Sequence, residues 1–402
     1  MSDRLKFFRR LMSAFEGASN PQRAVERGFY VNLPNNPVGE ITRRIELRPS
    51  SAHLLCGGIG SGKTTQLLLV QQTLNELEDI KAIYIDVSLI IDISDLRSGA
   101  LIAIAGLELI KLLSDASKIK LREYKKTIEK IAYGNERNAF LSGQLQKLPQ
   151  NIESVAKEYD KGLLLTENHD KMEMLIQAFS NLKNVVKEEI NSELVFLFDG
   201  LDRLDDSNIF EFAINDVLEI ERMGTGAVLV SSIVTIYSRR ESILKFGSFP
   251  CYLPYLDVFE SVETQKFFSD VIDVRDPENF IDKDARIFLI SKSGGVLRDL
   301  MSLCQAAIEE AYVDGSEKIT EKHANQAVVT ITRSKLVGIT DFAIKTLRKV
   351  MNEESFSPRN FMDFELLLRG HILEYKYPRQ RFGVHPILVS AMENIVASEV
   401  NG

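Results

Sequence analysis

The clearest chemistry in this chain lies in Ala52-His53-Leu54-Leu55-Cys56-Gly57-Gly58-Ile59-Gly60-Ser61-Gly62-Lys63-Thr64-Thr65. Gly57, Gly62, Lys63 and Thr64 stand at the spacing G-x-x-x-x-G-K-[ST]. Glycines there let the backbone turn tightly and aim several N–H groups at one phosphate. Every residue from Gly57 to Thr65 (Gly57, Gly58, Ile59, Gly60, Ser61, Gly62, Lys63, Thr64, Thr65) is a candidate for holding the phosphates of ATP. Lys63 is placed to reach the β- and γ-phosphates, and the Thr64 hydroxyl to ligate Mg²⁺. The apolar residues before the loop read as a strand. Gln66 to Leu77 reads as a helix, whose N-terminus adds partial positive charge.

A second stretch supplies acids. Leu194-Val195-Phe196-Leu197-Phe198 is dense enough in apolar residues for a strand buried on both faces of a parallel sheet. It runs into Asp199-Gly200-Leu201-Asp202. Ligands bind outside the carboxyl ends of such strands. Asp199 is therefore the candidate Mg²⁺ ligand beside Thr64. Asp202 is the candidate for orienting or deprotonating an attacking water, or alternatively a cap for a helix near Ser207. Ala227 to Val234 reads as a further strand, and Ser231 near its end is a candidate hydrogen-bond partner of a γ-phosphate or water. Arg239 and Arg240 follow, either to reach a neighbouring subunit's phosphate or as a solvated pair. Phe29-Tyr30-Val31 is placed by position alone to lie against an adenine.

The elements that must hold these residues follow from composition and pattern. The chain has 402 residues, 45% apolar and 26% charged, which suits two or three domains with ample core. A net charge of −8 argues against a protein that coats nucleic acid nonspecifically, though not against a local basic patch. Cys56, Cys251 and Cys304 lie far apart in apolar contexts, without metal-ligand spacing or a disulfide framework, which points to a reducing, cytoplasmic setting. Met1 to Gly17 makes a poor signal peptide, and no apolar run reaches the roughly 18 residues of a membrane span.

In chain order, apolar positions from Leu5 to Phe15 recur at helical spacing, and 18–39 reads as an irregular crossing segment. Ala82 to Val87 reads as a second strand and Leu96 to Leu113 as a buried helix. Charged helical sequence then runs to about 190, interrupted at Gly134-Asn135, Gly143 and Pro149. A plain βαβ unit needs only about 30 residues, so about 95–190 is a helical insertion. Phe249 to Leu253 suits a short fifth strand, and Val258 to about Val329 is helical. The end of the chain holds helices at Thr340–Met351 and within Ser357–Leu368. Two short strands follow, joined by Lys376-Tyr377-Pro378-Arg379-Gln380. Helices followed by a β-ribbon suggest a winged helix. Lys376, Arg379 and Arg381 would suit a DNA backbone, and protein docking is the equal alternative. His371 and His385 suit core or capping roles rather than a metal pair.

The order of Gly57–Thr64, Asp199-Gly200-Leu201-Asp202, Ser231-Ser232 and Gly294-Gly295 with Arg298 resembles the AAA+ and STAND ATPases. It is nearest the origin-recognition initiators and the bacterial signalling ATPases. The resemblance covers about 40–400. It implies an α/β fold: a P-loop parallel sheet core with helical insertion (40–257), a helical lid (258–335) and a C-terminal winged-helix-like domain (336–402), preceded by a segment at 1–39. It implies ATP bound between core and lid, with Arg298 in the first turn of a lid helix turned towards the nucleotide. It also implies a homo-oligomer or a hetero-complex with an effector protein, and a link to bacterial defence. The commonest AAA+ pattern has Asp-Glu where this chain has Asp199-Gly200. The Asp-Gly-x-Asp form is similar to STAND proteins and leaves the base and the turnover open. The expected function is a Mg²⁺-dependent ATP-binding and hydrolysing switch. The alternatives are a DNA-binding loader or regulator using residues 337–402 and a nucleotide-bound scaffold without turnover.

Overall fold

The computed structural model describes residues 3–16, 21–34, 38–133, 169–202, 207–238, 240–246, 250–389 and 391–392. The expected breaks at Gly134-Asn135, Gly143 and Pro149 lie outside them, as does Arg239. In chain order the elements are α1 (Asp3–Phe15), α2 (Pro21–Glu26), α3 (Gly39–Leu47), β1 (Ala52–Gly57), α4 (Lys63–Asn75), β2 (Ile80–Asp86), α5 (Ala100–Leu112), α6 (Asp115–Lys120), α7 (Arg122–Tyr133), α8 (His169–Ile190) and β3 (Glu193–Asp199). There follow α9 (Ser207–Arg222), β4 (Gly226–Ser232), α10 (Val234–Ser238), α11 (Arg240–Leu244), β5 (Cys251–Leu253), α12 (Val262–Asp273), α13 (Lys283–Ser293), α14 (Leu297–Val313), α15 (Glu321–Leu336), α16 (Asp341–Glu353), α17 (Phe361–Leu368), β6 (Ile372–Tyr375) and β7 (Arg381–Val384). The α/β class with a P-loop sheet core is thus as expected.

Five strands form one sheet in the order β2-β3-β4-β1-β5. β2 and β3 run parallel, with Asp86 paired to Asp199 at their carboxyl ends, and β3 and β4 run parallel from Val195–Gly226 to Phe198–Leu229. β4 is buried at every position and β3 at all but its first, as strands covered on both faces must be. That is why these strands read as unbroken apolar runs rather than alternating ones.

The chain divides into two compact units. One comprises Val38–Cys56 and Leu67–Cys251. Its helix α5 is apolar but for Glu108 and Lys111 and packs against α7, α8 and α9. Asp216 of α9 accepts from the N–H groups of Gly99 (2.7 Å) and Leu101 (2.9 Å), satisfying donors at the start of α5 that the helix itself cannot. Gly99, left-handed at φ 86°, sets where this helix begins, four residues later than the sequence pattern suggests.

The other unit comprises Met1–Pro37, Gly57–Gln66 and Tyr252–Gly402. α14 packs against α1, α13 and α15. Arg4 of α1 donates to the carbonyls of Ala311 and Tyr312 at the C-terminal end of α14, where unsatisfied carbonyls favour a cation. Phe8 packs edge-on to Phe280, so α1 is held by core packing. Within the segment expected to be irregular, residues 21–26 are helical. Pro21 opens α2, because proline at the first helical position loses no hydrogen bond. β6 and β7 form an antiparallel ribbon, with α17 against β6 and α16 against β7. No helix among the described residues is long and apolar enough to cross a membrane.

Candidate functional site

The glycine-rich loop has the backbone its spacing requires. Gly60 and Gly62 are left-handed, at φ 84° and 98°, conformations that favour glycine. β1 delivers the loop and α4 leaves it, so Lys63, Thr64 and Thr65 occupy the first helical turn, whose N–H groups have no partner within the helix. Lys63 is 4% exposed, and its Nζ donates to the carbonyls of Gly57 (3.0 Å) and Gly58 (2.9 Å), drawn back along its own loop. Thr64 and Thr65 are half-buried. The buried Ser61 Oγ and Gln66 Oε1 have no hydrogen-bond partner among the described residues. The Ser61 hydroxyl, a donor without a partner beside free helix N–H groups, suits a polyphosphate.

The start of α14 meets this loop within the same unit. The Arg298 N–H donates to Gly60 O at 3.4 Å, and a Cβ at position 60 would stand 2.9 Å from both Arg298 Cβ and Val296 Cγ1. Gly294, left-handed at φ 59°, ends α13 and lets α14 start directly at Leu297. Arg298 is half-buried in the first turn of α14, and among the described residues no carboxylate pairs with its guanidinium. Tyr30 accepts from Gln66 Nε2 at 3.5 Å, bringing the Phe29-Tyr30-Val31 segment to the start of α4. Phe29 itself lies under the Arg275 guanidinium, 5.2 Å from its ring centroid.

In the other unit, Asp199 ends β3 and is 3% exposed. It accepts from the Tyr84 hydroxyl (3.0 Å) and from Gly200 N (2.8 Å). Burial pushes the Tyr84 hydroxyl well above the ordinary tyrosine range, with Asp199, Asp86 and Asp202 adding to it, so this phenol stays a donor. Asp202 sits half-buried in the turn after β3. Ser231 is fully buried with its Oγ 3.0 Å from Cys56 Sγ, which turns its hydroxyl into the sheet. Tyr84 and Asp86 escaped sequence reasoning. The signal was present, because Asp86 ends the β2 apolar run as Asp199 ends that of β3.

The terminal ribbon differs from expectation. Arg381 is 9% exposed and pairs with Asp257 at 2.7 Å, with Glu260 and Glu354 at 3.6 and 3.8 Å. Arg379 forms a two-pronged pair with Glu260 (3.1 and 3.0 Å from Nε) and also meets Glu354 at 2.7 Å. Two of the three cations assigned to a DNA backbone are thus occupied by carboxylates of the chain itself. Lys376 lies 5.9 Å from the ring centroids of Tyr252 and Tyr377. His385 is fully buried and bonds Asp299 at 2.8 Å. Among the described residues no His, Cys, Asp and Glu side chains gather as a metal-binding group.

The parallel sheet and the glycine-rich loop after β1 give the chain the fold of a P-loop domain. Residues 40–223 match the family model of the KAP family P-loop domain. Among solved structures, the chain is similar to the Orc1 protein of Aeropyrum pernix in complex with DNA, at 12% identity and a TM-score of 0.47, covering 96% of this chain and 98% of that one. It is similar to Cdc6p from Pyrobaculum aerophilum, at 10% identity and 0.44, covering 96% and 98%. It is also similar to the RuvB Holliday junction branch migration motor of Thermotoga maritima, at 12% identity and 0.40, covering 89% and 88%. No curated protein matches the chain in sequence.

Proposed function

We propose that the chain is a Mg²⁺-dependent ATP-binding and ATP-hydrolysing switch, whose nucleotide state controls assembly with further copies or engagement of an effector protein. The observation that carries this reading is the contact of the phosphate loop with the first turn of α14, through Arg298 N–H on Gly60 O. A ligand shifts a conformational equilibrium only through contacts that differ between the two states. A guanidinium reaching a γ-phosphate makes charge-assisted bonds that ADP cannot offer. Lys63 and the loop N–H groups bind the phosphates, with the Ser61 hydroxyl as a further donor. On the sequence pattern, Thr64 and Asp199 are the Mg²⁺ ligands, and the ion would offset charge on the phosphoryl oxygens. Asp202 is the proposed water-orienting base.

A nucleotide-bound scaffold without turnover is the second reading. It draws on Gly200, where the backbone leaves no room for a second carboxylate beside Asp199. The DNA-loader reading loses support, because Arg379 and Arg381 are paired within the chain.

One series of measurements separates these. In a folded Lys63→Ala variant, calorimetry should show ATP-analogue affinity lowered by about tenfold to a hundredfold, the loss of charged hydrogen bonds. Unchanged affinity sinks the phosphate-loop assignment. Arg298→Ala should still bind, yet lose the difference in small-angle scattering between analogue and ADP states. Wild-type protein that binds ATP but releases no phosphate under any assembly condition would establish the scaffold instead.

A further inference from the structure

Tyr255 lies just after β5 and is 2% exposed. Its hydroxyl donates to Ile59 O of the phosphate loop at 3.0 Å. Its ring fills the space beside Gly58 so closely that a Cβ there would stand 2.1 Å from the phenol oxygen. On its other side, the main chain of Tyr255 bridges in parallel to Tyr375, the last residue of β6. Tyr375 is 1% exposed and donates its hydroxyl to Gly294 O at 2.8 Å, in the turn before Arg298. Tyr255, Val296, Leu373 and Tyr375 form one buried apolar cluster. Arg381, opposite Tyr375 in the ribbon, lies 4.4 Å above its ring and is held by Asp257.

These contacts close a circuit: from Ile59 to Tyr255, across to Tyr375, back through Gly294 to Arg298, and from Arg298 N–H to Gly60 O. Ile59 C=O and Gly60 N–H belong to one planar trans peptide and point in opposite directions. A phenol that holds the carbonyl on one side therefore sets the direction in which the Gly60 N–H points on the other. Packed, buried clusters of this kind transmit a shift rather than absorb it. We infer that Tyr255 is a positioning residue for the phosphate loop, and that the terminal β6–β7 ribbon senses the loop's nucleotide state through the Tyr255–Tyr375 pair. The inference rests on the nucleotide-binding reading above and adds to it the element that receives the signal.

The test uses the full chain, an ATP analogue as probe, calorimetry, and hydrogen exchange read by mass spectrometry. In wild type, the analogue should slow exchange across Ile372–Val384 as well as in the loop. Tyr255→Phe keeps the ring and removes only the hydroxyl. It should weaken analogue binding about three- to tenfold, the worth of one neutral hydrogen bond, and abolish the response of the ribbon. Tyr375→Phe should bind within about twofold of wild type and lose the ribbon response alone. A merely structural role would lower the melting temperature of both variants and leave the nucleotide-dependent part of the exchange intact, which overturns the inference. So would a wild type that binds the analogue with no change in the ribbon. A wild type that gives no binding heat overturns the nucleotide reading itself, and the relay with it.

Discussion

Gly200 stands at φ 83° directly after Asp199, and a Cβ there would meet Asp86 Oδ1 at 2.4 Å and Ser88 Oγ at 2.9 Å. Asp86 is fixed in that place because its Oδ1 accepts from Ser88 N (3.1 Å) and Ser88 Oγ (2.6 Å). The departure from an Asp-Glu pair at the end of β3 therefore has a local cause: the neighbouring strand's acid fills the room a side chain would need. Gly200→Ala should destabilise the protein by about 2 kcal/mol or more, from left-handed strain plus the close approach. Denaturant unfolding measures it, and an unchanged midpoint would contradict the packing described. Beside these acids, burial keeps the Tyr84 hydroxyl protonated, so it stays a donor to Asp199.

The β-ribbon is an element whose charges face inward. Arg381 and Asp257 are both buried, and Asp257 also accepts from the N–H groups of Phe259 (2.9 Å) and Glu260 (3.2 Å). Breaking such a pair from one side costs far more than the pair contributes, because the remaining charge stays buried. Asp257→Ala should therefore cost about 3 kcal/mol, near the low end for buried pairs, since Glu260 and Glu354 also face the guanidinium. The double change Asp257→Ala with Arg381→Met should recover part of that loss in chemical unfolding. A single variant as stable as wild type would show that Arg381 is not held as described. For the same reason, charge reversal at Arg381 tests folding before it tests DNA.

At the scale of the whole molecule, burial of two histidines links stability to pH. Burial holds His53 down to about 4, helped by Arg44 and Arg48, and likewise His371 to about 4, helped by Lys335 and Arg369. Unfolded, each ring takes a proton near pH 6.5. Their contribution is complete above about pH 6.5 and is lost as pH falls towards 4. Asp216 acts in the opposite sense. Burial raises it to about 7, against the pull of the Gly99 and Leu101 N–H groups, so its share of stability falls as pH rises towards 7. Replacing one histidine leaves Asp216 untouched. His53→Gln should therefore lose less melting temperature than wild type between pH 6.5 and 4, measured by thermal scans at matched salt. Parallel pH profiles would mean that His53 is protonated as readily folded as unfolded.

The glycine-rich loop, the strands that read as unbroken apolar runs and the acid at the end of β3 were legible along the chain. These follow from local rules: glycine's access to left-handed backbone at Gly60 and Gly62, and the apolar density that a doubly covered strand such as β4 needs. Pro21 shows the limit of a local rule, since the same residue breaks one helix and opens another. Pairings between residues remote along the chain were not legible there and came from folding. Asp86 came to face Asp199 through strand register, and Ser231 was turned onto Cys56 by the order of strands in the sheet. Arg379 and Arg381 read as a basic wing until Glu260, Glu354 and Asp257 were brought against them. Tyr255 had no motif at all. Its importance arises because a phenol, a loop carbonyl and a ribbon strand from three distant stretches share one buried cluster, and spacing along the chain carries no record of that.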